Sequence, residues 1–310
     1  MGQLFSRADA QKLKKEVFGA EVTERGKNLS GKLYNAFNTL HSTDYYSDVE
    51  IEKLLLKQRE LEVANITKPH LPKEAEDMVY FSPSGASKCN RELYLKAKKT
   101  KRDEMPFYPY HKRWTRNGTF IHEAVQRDLL YMEKMVDNAP FIVSRTEDGL
   151  PKWEENIKTY KVIEHGGVKF GLYGMSDGIL THVEDGSQIG FEFKTKSTTV
   201  GAVGNYKMKD AQEGHKTQCT AYALLFDVWE HLIVYESLAK DKWTANEDAK
   251  LDLRVFYHKV KQEDVNALLD KYAYITKCVE TNTIPPCEPD KCIFCPYKTT
   301  CKSMEDASND

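Results

Sequence analysis

From Cys287 to Cys301 the chain reads C-E-P-D-K-C-I-F-C-P-Y-K-T-T-C, four cysteines within fifteen residues near the end of a 310-residue sequence. A C-x2-C pair aims two sulfurs at one centre, so this segment favours a centre that its thiols share over the plainer reading of scattered buried thiols. Three further cysteines are scattered. Cys89 lies far upstream, and Cys219 and Cys278 fall inside helical patterns, where a buried thiol is the ordinary expectation. The first residues, Met-Gly-Gln-Leu-Phe-Ser-Arg, contain no apolar signal core, which predicts a reducing, cytoplasmic or otherwise intracellular setting. There, clustered cysteines favour a metal or cluster site over disulfides.

The chain does not depend on that site to fold, because 310 residues at 40% hydrophobic content can bury one large core or two modest ones. Its longest apolar run, Ala221–Phe226, is six residues, too short to span a membrane. Forty-five Lys and Arg against 47 Asp and Glu leave a net charge of −2, which excludes a uniformly basic coat but not a local patch. Such a patch occupies residues 88–116, where ten basic residues face three acidic ones, a balance of +7. Lys98, Lys99, Lys101, Arg102, Arg113 and Arg116 are interleaved there with Tyr94, Phe107, Tyr108, Tyr110 and Trp114. Cations neutralise phosphates and aromatic rings stack on unpaired bases, so the segment predicts contact with single strands or frayed ends. A solvated helix face carrying a basic run is the plainer alternative.

Periodicity divides the chain. Residues 1–78 read as a helical extension: Ser6 with Asp9 forms a capping-box pattern, and Leu29, Leu33, Phe37 and Leu40 recur at helical spacing. Ser47 with Glu50 opens a second helix bearing Val49, Ile51, Leu54, Leu55, Leu61 and Val63, and Pro69, Pro72 and the acidic stretch 74–77 suggest a linker. Beyond it the pattern predicts a helix over Gly118–Val136 and strands over Tyr160–Glu164, Val168–Tyr173, Gly178–His182 and Gln188–Thr195. A helix over Ala211–Phe226, strands over His231–Ser237 and Leu251–His258, and a helix over Val265–Glu280 complete the order. This alternation argues for an α/β fold, a mixed central sheet flanked by helices.

The candidate chemistry lies in that second part. In Gly190-Phe191-Glu192-Phe193-Lys194, strand alternation puts Glu192 and Lys194 on one face and both phenylalanines on the other. A carboxylate can hold a divalent metal, and a neighbouring ammonium can orient water or offset developing negative charge, although such pairs are usually surface ion pairs. Fifteen residues upstream, Asp177 sits at the glycine-flanked bend Gly174-Met175-Ser176-Asp177-Gly178. A second carboxylate there would suit Mg2+ or Mn2+, and a turn-forming Asp is the plainer reading. His122 shares its helix face with Val125 and Leu129, and could be a third ligand or a core histidine. Gln218 and Tyr222, four apart on a helix, are surface neighbours.

In this order the residues resemble the PD-(D/E)XK nuclease superfamily, in particular its RecB/AddB-like iron–sulfur branch, to which the exonucleases of CRISPR adaptation belong. The resemblance covers residues 80–301 and implies a restriction-endonuclease-like core within a nuclease domain over 79–310. It implies that His122, Asp177, Glu192 and the Phe193 carbonyl hold Mg2+ or Mn2+, that Lys194 positions water, and that Gln218 and Tyr222 of the Gln-x-x-x-Tyr motif assist. It further implies a 4Fe-4S cluster on Cys89, Cys292, Cys295 and Cys301, stapling the start of the fold to its C-terminal cysteine cluster. Two departures stand out: Ser176 replaces the usual Pro, and Cys287 is a fifth thiol, so that Zn2+ on Cys287, Cys292, Cys295 and Cys301 remains open. The implied activity is a metal-dependent DNA exonuclease, with possible endonuclease activity, serving recombination, repair or replication. A non-catalytic nucleic-acid-binding or scaffold subunit of such a complex is the alternative. The chain has no phosphate-loop motif, so unwinding would require a partner helicase or recombination protein.

Overall fold

The computed structural model describes residues 7–44, 47–69, 71–75, 77–104 and 106–306, with the side chains of 7–22, 74, 305 and 306 outside that description. The Ser6–Asp9 capping pattern therefore lies outside the described residues. Two helices come first, α1 (Arg7–His41) and α2 (Val49–Asn65). The cap of α2 is Asp48, one residue beyond the expected Ser47; its carboxylate accepts the Glu50 and Ile51 backbone N–H groups, at 2.9 and 3.0 Å. Of the expected apolar stripe on α2 only Ile51 is buried, while Val49, Leu61 and Val63 face solvent. Within the proposed linker, residues 73–75 form a short 3-10 turn with Ala75 fully buried.

The remaining elements are β1 (Tyr80–Phe81), α3 (Asn90–Ala97), α4 (Pro109–Met135), β2 (Phe141–Val143), β3 (Thr159–His165), β4 (Val168–Gly174), β5 (Gly178–His182), β6 (Gln188–Lys196), α5 (Glu213–Phe226), β7 (Glu230–Ser237), β8 (Leu253–Lys259), α6 (Gln262–Glu280) and α7 (Lys298–Asp306). Helix α4 begins nine residues before the expected Gly118, because Pro109 fits the first helical position, where no backbone N–H is needed. The basic, aromatic stretch 109–116 and His122 therefore ride on one helix. Helix α5 starts at Glu213 rather than Ala211, since Gln212 is extended.

The strands form two mixed sheets rather than one. The larger has the order β2-β5-β6-β7-β8, with β6 parallel to β7 across the α5 connection and the other pairs antiparallel. The β3–β4 hairpin leaves it and pairs with β1 in a three-stranded sheet. The hairpin has its own core to fill: Phe170 and Leu172 pack with Phe81, Leu93, Tyr94, Leu225 and Tyr272. Both sheets are flanked by helices, which makes the chain a mixed α/β protein.

Strand β6 is the centre of the larger sheet. On one face Phe191 and Phe193 join Leu232 and Val234 of β7, Val125 and Leu129 of α4, and Leu29, Leu33 and Phe37 of α1 in one buried cluster. On the other face Ile233 and Tyr235 of β7 pack with Cys219 and Ala223 of α5 and Val265 of α6. Register sets Glu192 beside Ile233 and Lys194 beside Tyr235, so the two charged side chains point into that second layer, under α5. Among the described residues no helix is long and apolar enough to cross a membrane.

Candidate active site

Three elements converge on the Ser176–Gly178 bend between β4 and β5. Asp177 is buried there, and its carboxylate accepts the Phe193 backbone N–H at 2.8 Å, which fixes the bend to β6. Gln126 of α4 donates to the Asp177 carbonyl at 2.9 Å. One turn earlier on the same helix face, His122 Nε2 stands 2.9 Å from Asp177 Oδ2. The His122 ring also lies against Phe193, with centroids 5.5 Å apart.

A third side chain enters that the sequence reading missed. Glu154 opens a 3-10 turn before β3, and its backbone N–H donates to the Ser176 carbonyl at 2.8 Å. Its carboxylate lies 3.5 Å from His122 Nδ1. Ligand atoms of His122, Glu154 and Asp177 fall within 4.8 Å of one another. Glu154 has a φ of +44°, a left-handed conformation that a non-glycine residue adopts at a cost, commonly at sites where function fixes the backbone. The turn is anchored from the N-terminal helices: Trp153 is fully buried and donates its indole N–H to Gln58 of α2 at 2.6 Å. No local pattern links residues 58, 122, 154 and 177.

Glu192 stands outside that group of three. It is completely buried, its carboxylate lies against the Lys194 ammonium, and the Tyr222 hydroxyl is near. Neither carboxylate oxygen accepts a well-formed hydrogen bond, a costly condition for a buried anion. Gln218 and Tyr222 are buried and joined by a 2.7 Å hydrogen bond from the amide to the phenol oxygen. Burial, and then the Asp177 charge, push Glu192 up to about 8. Burial opposes the charge on Lys194, but Glu192 and Asp177 outweigh it and hold the ammonium protonated. Burial likewise opposes charge on His122, yet Asp177 and Glu154 raise it to about 10. Asp177 is held below the usual range despite burial, chiefly by the His122 charge, while burial lifts Glu154. The structure thus brings His122, Asp177, Phe193, Glu192, Lys194, Gln218 and Tyr222 to one neighbourhood and adds Glu154.

The donor set is oxygen-rich with one imidazole, and the Glu192 carboxylate lacks satisfied partners, so the residues present fit a hard divalent cation. Beside this site, Tyr110, Arg113, Trp114 and Asn117 of α4 face Ser197, Thr198, Leu238 and Ala239 across a cleft of about 510 Å3. Arg113, Trp114 and Arg116 are exposed on α4, and Lys98, Lys99, Lys101 and Arg102 are exposed in the segment that follows α3. Lys101 pairs with Glu104 at 3.1 Å.

The cysteine segment forms a separate neighbourhood on the three-stranded sheet. Cys295 and Tyr297 pack into its core with Leu93, Phe170 and Tyr272. Cys287 and Cys292 bring their sulfurs to 3.6 Å, and Arg91 donates to Cys301 Sγ at 3.2 Å. The Glu288 backbone N–H points at Cys89 Sγ, 3.4 Å away. Burial, then the thiols of Cys301 and Cys292, raise Cys287 above the ordinary thiol range. Cys287 therefore sits beside Cys292 and Cys301. Cys219 and Cys278 are buried in helical layers, as expected.

No family model matches the chain, and neither does any curated protein. Among solved structures it is similar to SSO0001, at 16% identity and a TM-score of 0.40, over 84% of this chain and 98% of that one. It is also similar to an alkaline exonuclease, LHK-Exo from Laribacter hongkongensis, at 12% identity and a TM-score of 0.39, over 67% of this chain and 92% of that one. The same exonuclease in complex with dAMP aligns at 12% identity with a TM-score of 0.41 and the same coverage.

Proposed function

We propose that this chain is a metal-dependent nuclease hydrolysing phosphodiester bonds of DNA at single-stranded or frayed ends. The observation that carries the reading is the buried Glu192–Lys194 pair on β6, set beside the His122–Glu154–Asp177 group. A charged pair with no catalytic task has little reason to occupy the centre of a sheet, where desolvation makes it expensive. His122, Asp177, Glu192 and the Phe193 carbonyl, with Glu154 added, would hold Mg2+ or Mn2+. When bound, that ion would supply charge stabilisation at the phosphoryl oxygens and lower the pKa of water.

The protein's own groups define the remaining roles. Lys194 is held protonated by its carboxylate neighbours, so it serves as a hydrogen-bond donor rather than a base. It orients the attacking water and offsets charge that develops on the phosphate. The phenol of Tyr222, kept neutral by burial and then by the nearby carboxylates, stands beside the Glu192 carboxylate on the α5 side and is itself held by the amide of Gln218. The exposed cations and rings of α4 would bind the strand leading into the site. For the cysteine group, the resemblance to the iron–sulfur branch favours a 4Fe-4S cluster as a structural staple, with Zn2+ as the competing occupant.

End-labelled single- and double-stranded DNA, labelled at either end and digested with Mg2+ or Mn2+, tests the reading. Metal-dependent shortening by the native protein, abolished in Glu192→Gln and Lys194→Ala, is expected. Binding without cleavage in both metals would instead favour a scaffold role. An absorbance spectrum after anaerobic purification separates a brown cluster from colourless zinc.

A further inference from the structure

The row of charged side chains on β6 does not end at Lys194. Lys196 is the next residue on the same face, about 6.7 Å further along the strand. The Lys194 ammonium lies against the Glu192 carboxyl group. Lys196 has no carboxylate partner among the described residues: its ammonium donates to the neutral Gln212 amide at 3.1 Å and lies 5.4 Å from the centroid of the Tyr235 ring. A half-buried ammonium beside a second lysine, with no anion to balance it, is unfavourable unless an anion arrives. Burial, and then Lys194, lower its pKa, in keeping with that imbalance.

His215 of α5 completes the arrangement. Tyr235 is fully buried, and its hydroxyl accepts the Gln212 backbone N–H at 2.9 Å. Its own proton needs an acceptor, and His215 Nδ1 stands 2.7 Å away. Nδ1 is therefore the acceptor and Nε2 carries the hydrogen, with no partner among the described residues. Burial, then Lys194 and Lys196, hold the imidazole down at about 4, so at neutral pH it is an uncharged N–H donor. Thr198, two residues beyond Lys196, lines the Trp114 cleft, so the pair sits between that cleft and Lys194.

We propose that Lys196 and His215 form a second phosphate position, one nucleotide away from the reacting phosphodiester, with Lys196 supplying charge and His215 Nε2–H a directed hydrogen bond. This rests on the nuclease reading, in which Lys194 serves the reacting phosphate. The spacing of the two lysines is comparable to one nucleotide step of a stretched single strand, so one strand could satisfy both. The position sets which bond is presented to Lys194, and its natural ligand is a phosphodiester anion within a polynucleotide.

The test is the salt dependence of binding of a fluorescent single-stranded oligonucleotide by the full chain in EDTA, where cleavage does not interfere. Lys196→Ala is expected to weaken binding roughly tenfold and to reduce the slope of log K against log salt by about 0.7, one phosphate contact on a single strand. His215→Ala is expected to weaken binding while leaving the slope in place, and His215→Gln, which keeps an N–H donor, to recover part of the loss. An oligonucleotide with one neutral methylphosphonate beside the cleaved bond should be a poorer substrate for the native protein, seen mainly in KM, and no poorer still for Lys196→Ala. An unchanged slope in Lys196→Ala, or additive losses with the methylphosphonate, would overturn the second position. If the native protein binds but does not cleave in either metal, the nuclease reading fails while the slope still reports the phosphate contact. If it does not bind single strands at all, both fail.

Discussion

The acidic site and the cysteine segment solve opposite problems. Around Asp177 and Glu192, charges are buried in the middle of the larger sheet, where every neighbour perturbs them. Around Cys287 and Cys292, sulfurs collect at a partly exposed edge, where Cys295 and Tyr297 pack the C-terminal segment against the smaller sheet. The first arrangement costs stability through desolvation; the second packs the C-terminal segment against the smaller sheet. Under the proposed function, the first would be the reactive site and the second a staple of the fold.

Substitutions should separate the two, and the largest effect belongs to the acidic site. Glu192→Gln or Lys194→Ala should reduce metal-dependent cleavage by at least about 100- to 1,000-fold, while thermal unfolding in EDTA shows an unchanged or higher Tm for Glu192→Gln. Loss of Tm with activity retained would reverse the comparison. At the cysteine edge, Cys295→Ser should behave in the opposite way. Its Tm should fall by about 5–10 °C together with any visible absorbance, and whatever protein remains folded should keep its turnover.

Glu154→Gln sharpens the picture of the acidic side. Weaker metal binding by isothermal calorimetry and a roughly 10- to 100-fold loss of activity are expected, a range typical of metal-site partners. Equal metal affinity in native protein and variant would remove Glu154 from the site. The smallest effect is a pH dependence. The folded pKa of Glu192, about 8, exceeds its ordinary value of 4.5 because of burial and then Asp177. Between those two values the folded protein holds a proton that the unfolded chain has released, so this contribution to stability is lost as pH rises. In metal-free protein the Tm advantage of Glu192→Gln over native should therefore widen from pH 4.5 towards pH 8. A gap that stays constant would show that Glu192 ionises freely.

Much of this was legible without coordinates. The alternation of Phe191, Glu192, Phe193 and Lys194 assigned the charged pair to one face, because a strand has a period of two wherever it lies. The helix over Gly118–Val136, with His122, Val125 and Leu129 on one face, was legible for the same kind of reason, though its start was displaced because Pro109 reads as a stop as readily as a first helical residue. Glu154 carried no such signal. It lies in an irregular turn, and its place beside His122 depends on the Ser176 carbonyl and on Gln58 holding Trp153.

What the sequence alone determined was local and periodic: which segments are strands or helices, which faces are charged, where thiols cluster, and where basic and aromatic residues alternate. The tertiary structure alone decided that the β3–β4 hairpin leaves the main sheet, that Glu154 joins His122 and Asp177, and that Cys89 meets residue 288 from the other end of the chain. The division has a physical cause. Backbone geometry repeats over two to four residues and imprints itself on composition, whereas contacts across 30 or 200 residues are selected by how whole faces pack, and they leave no period to read.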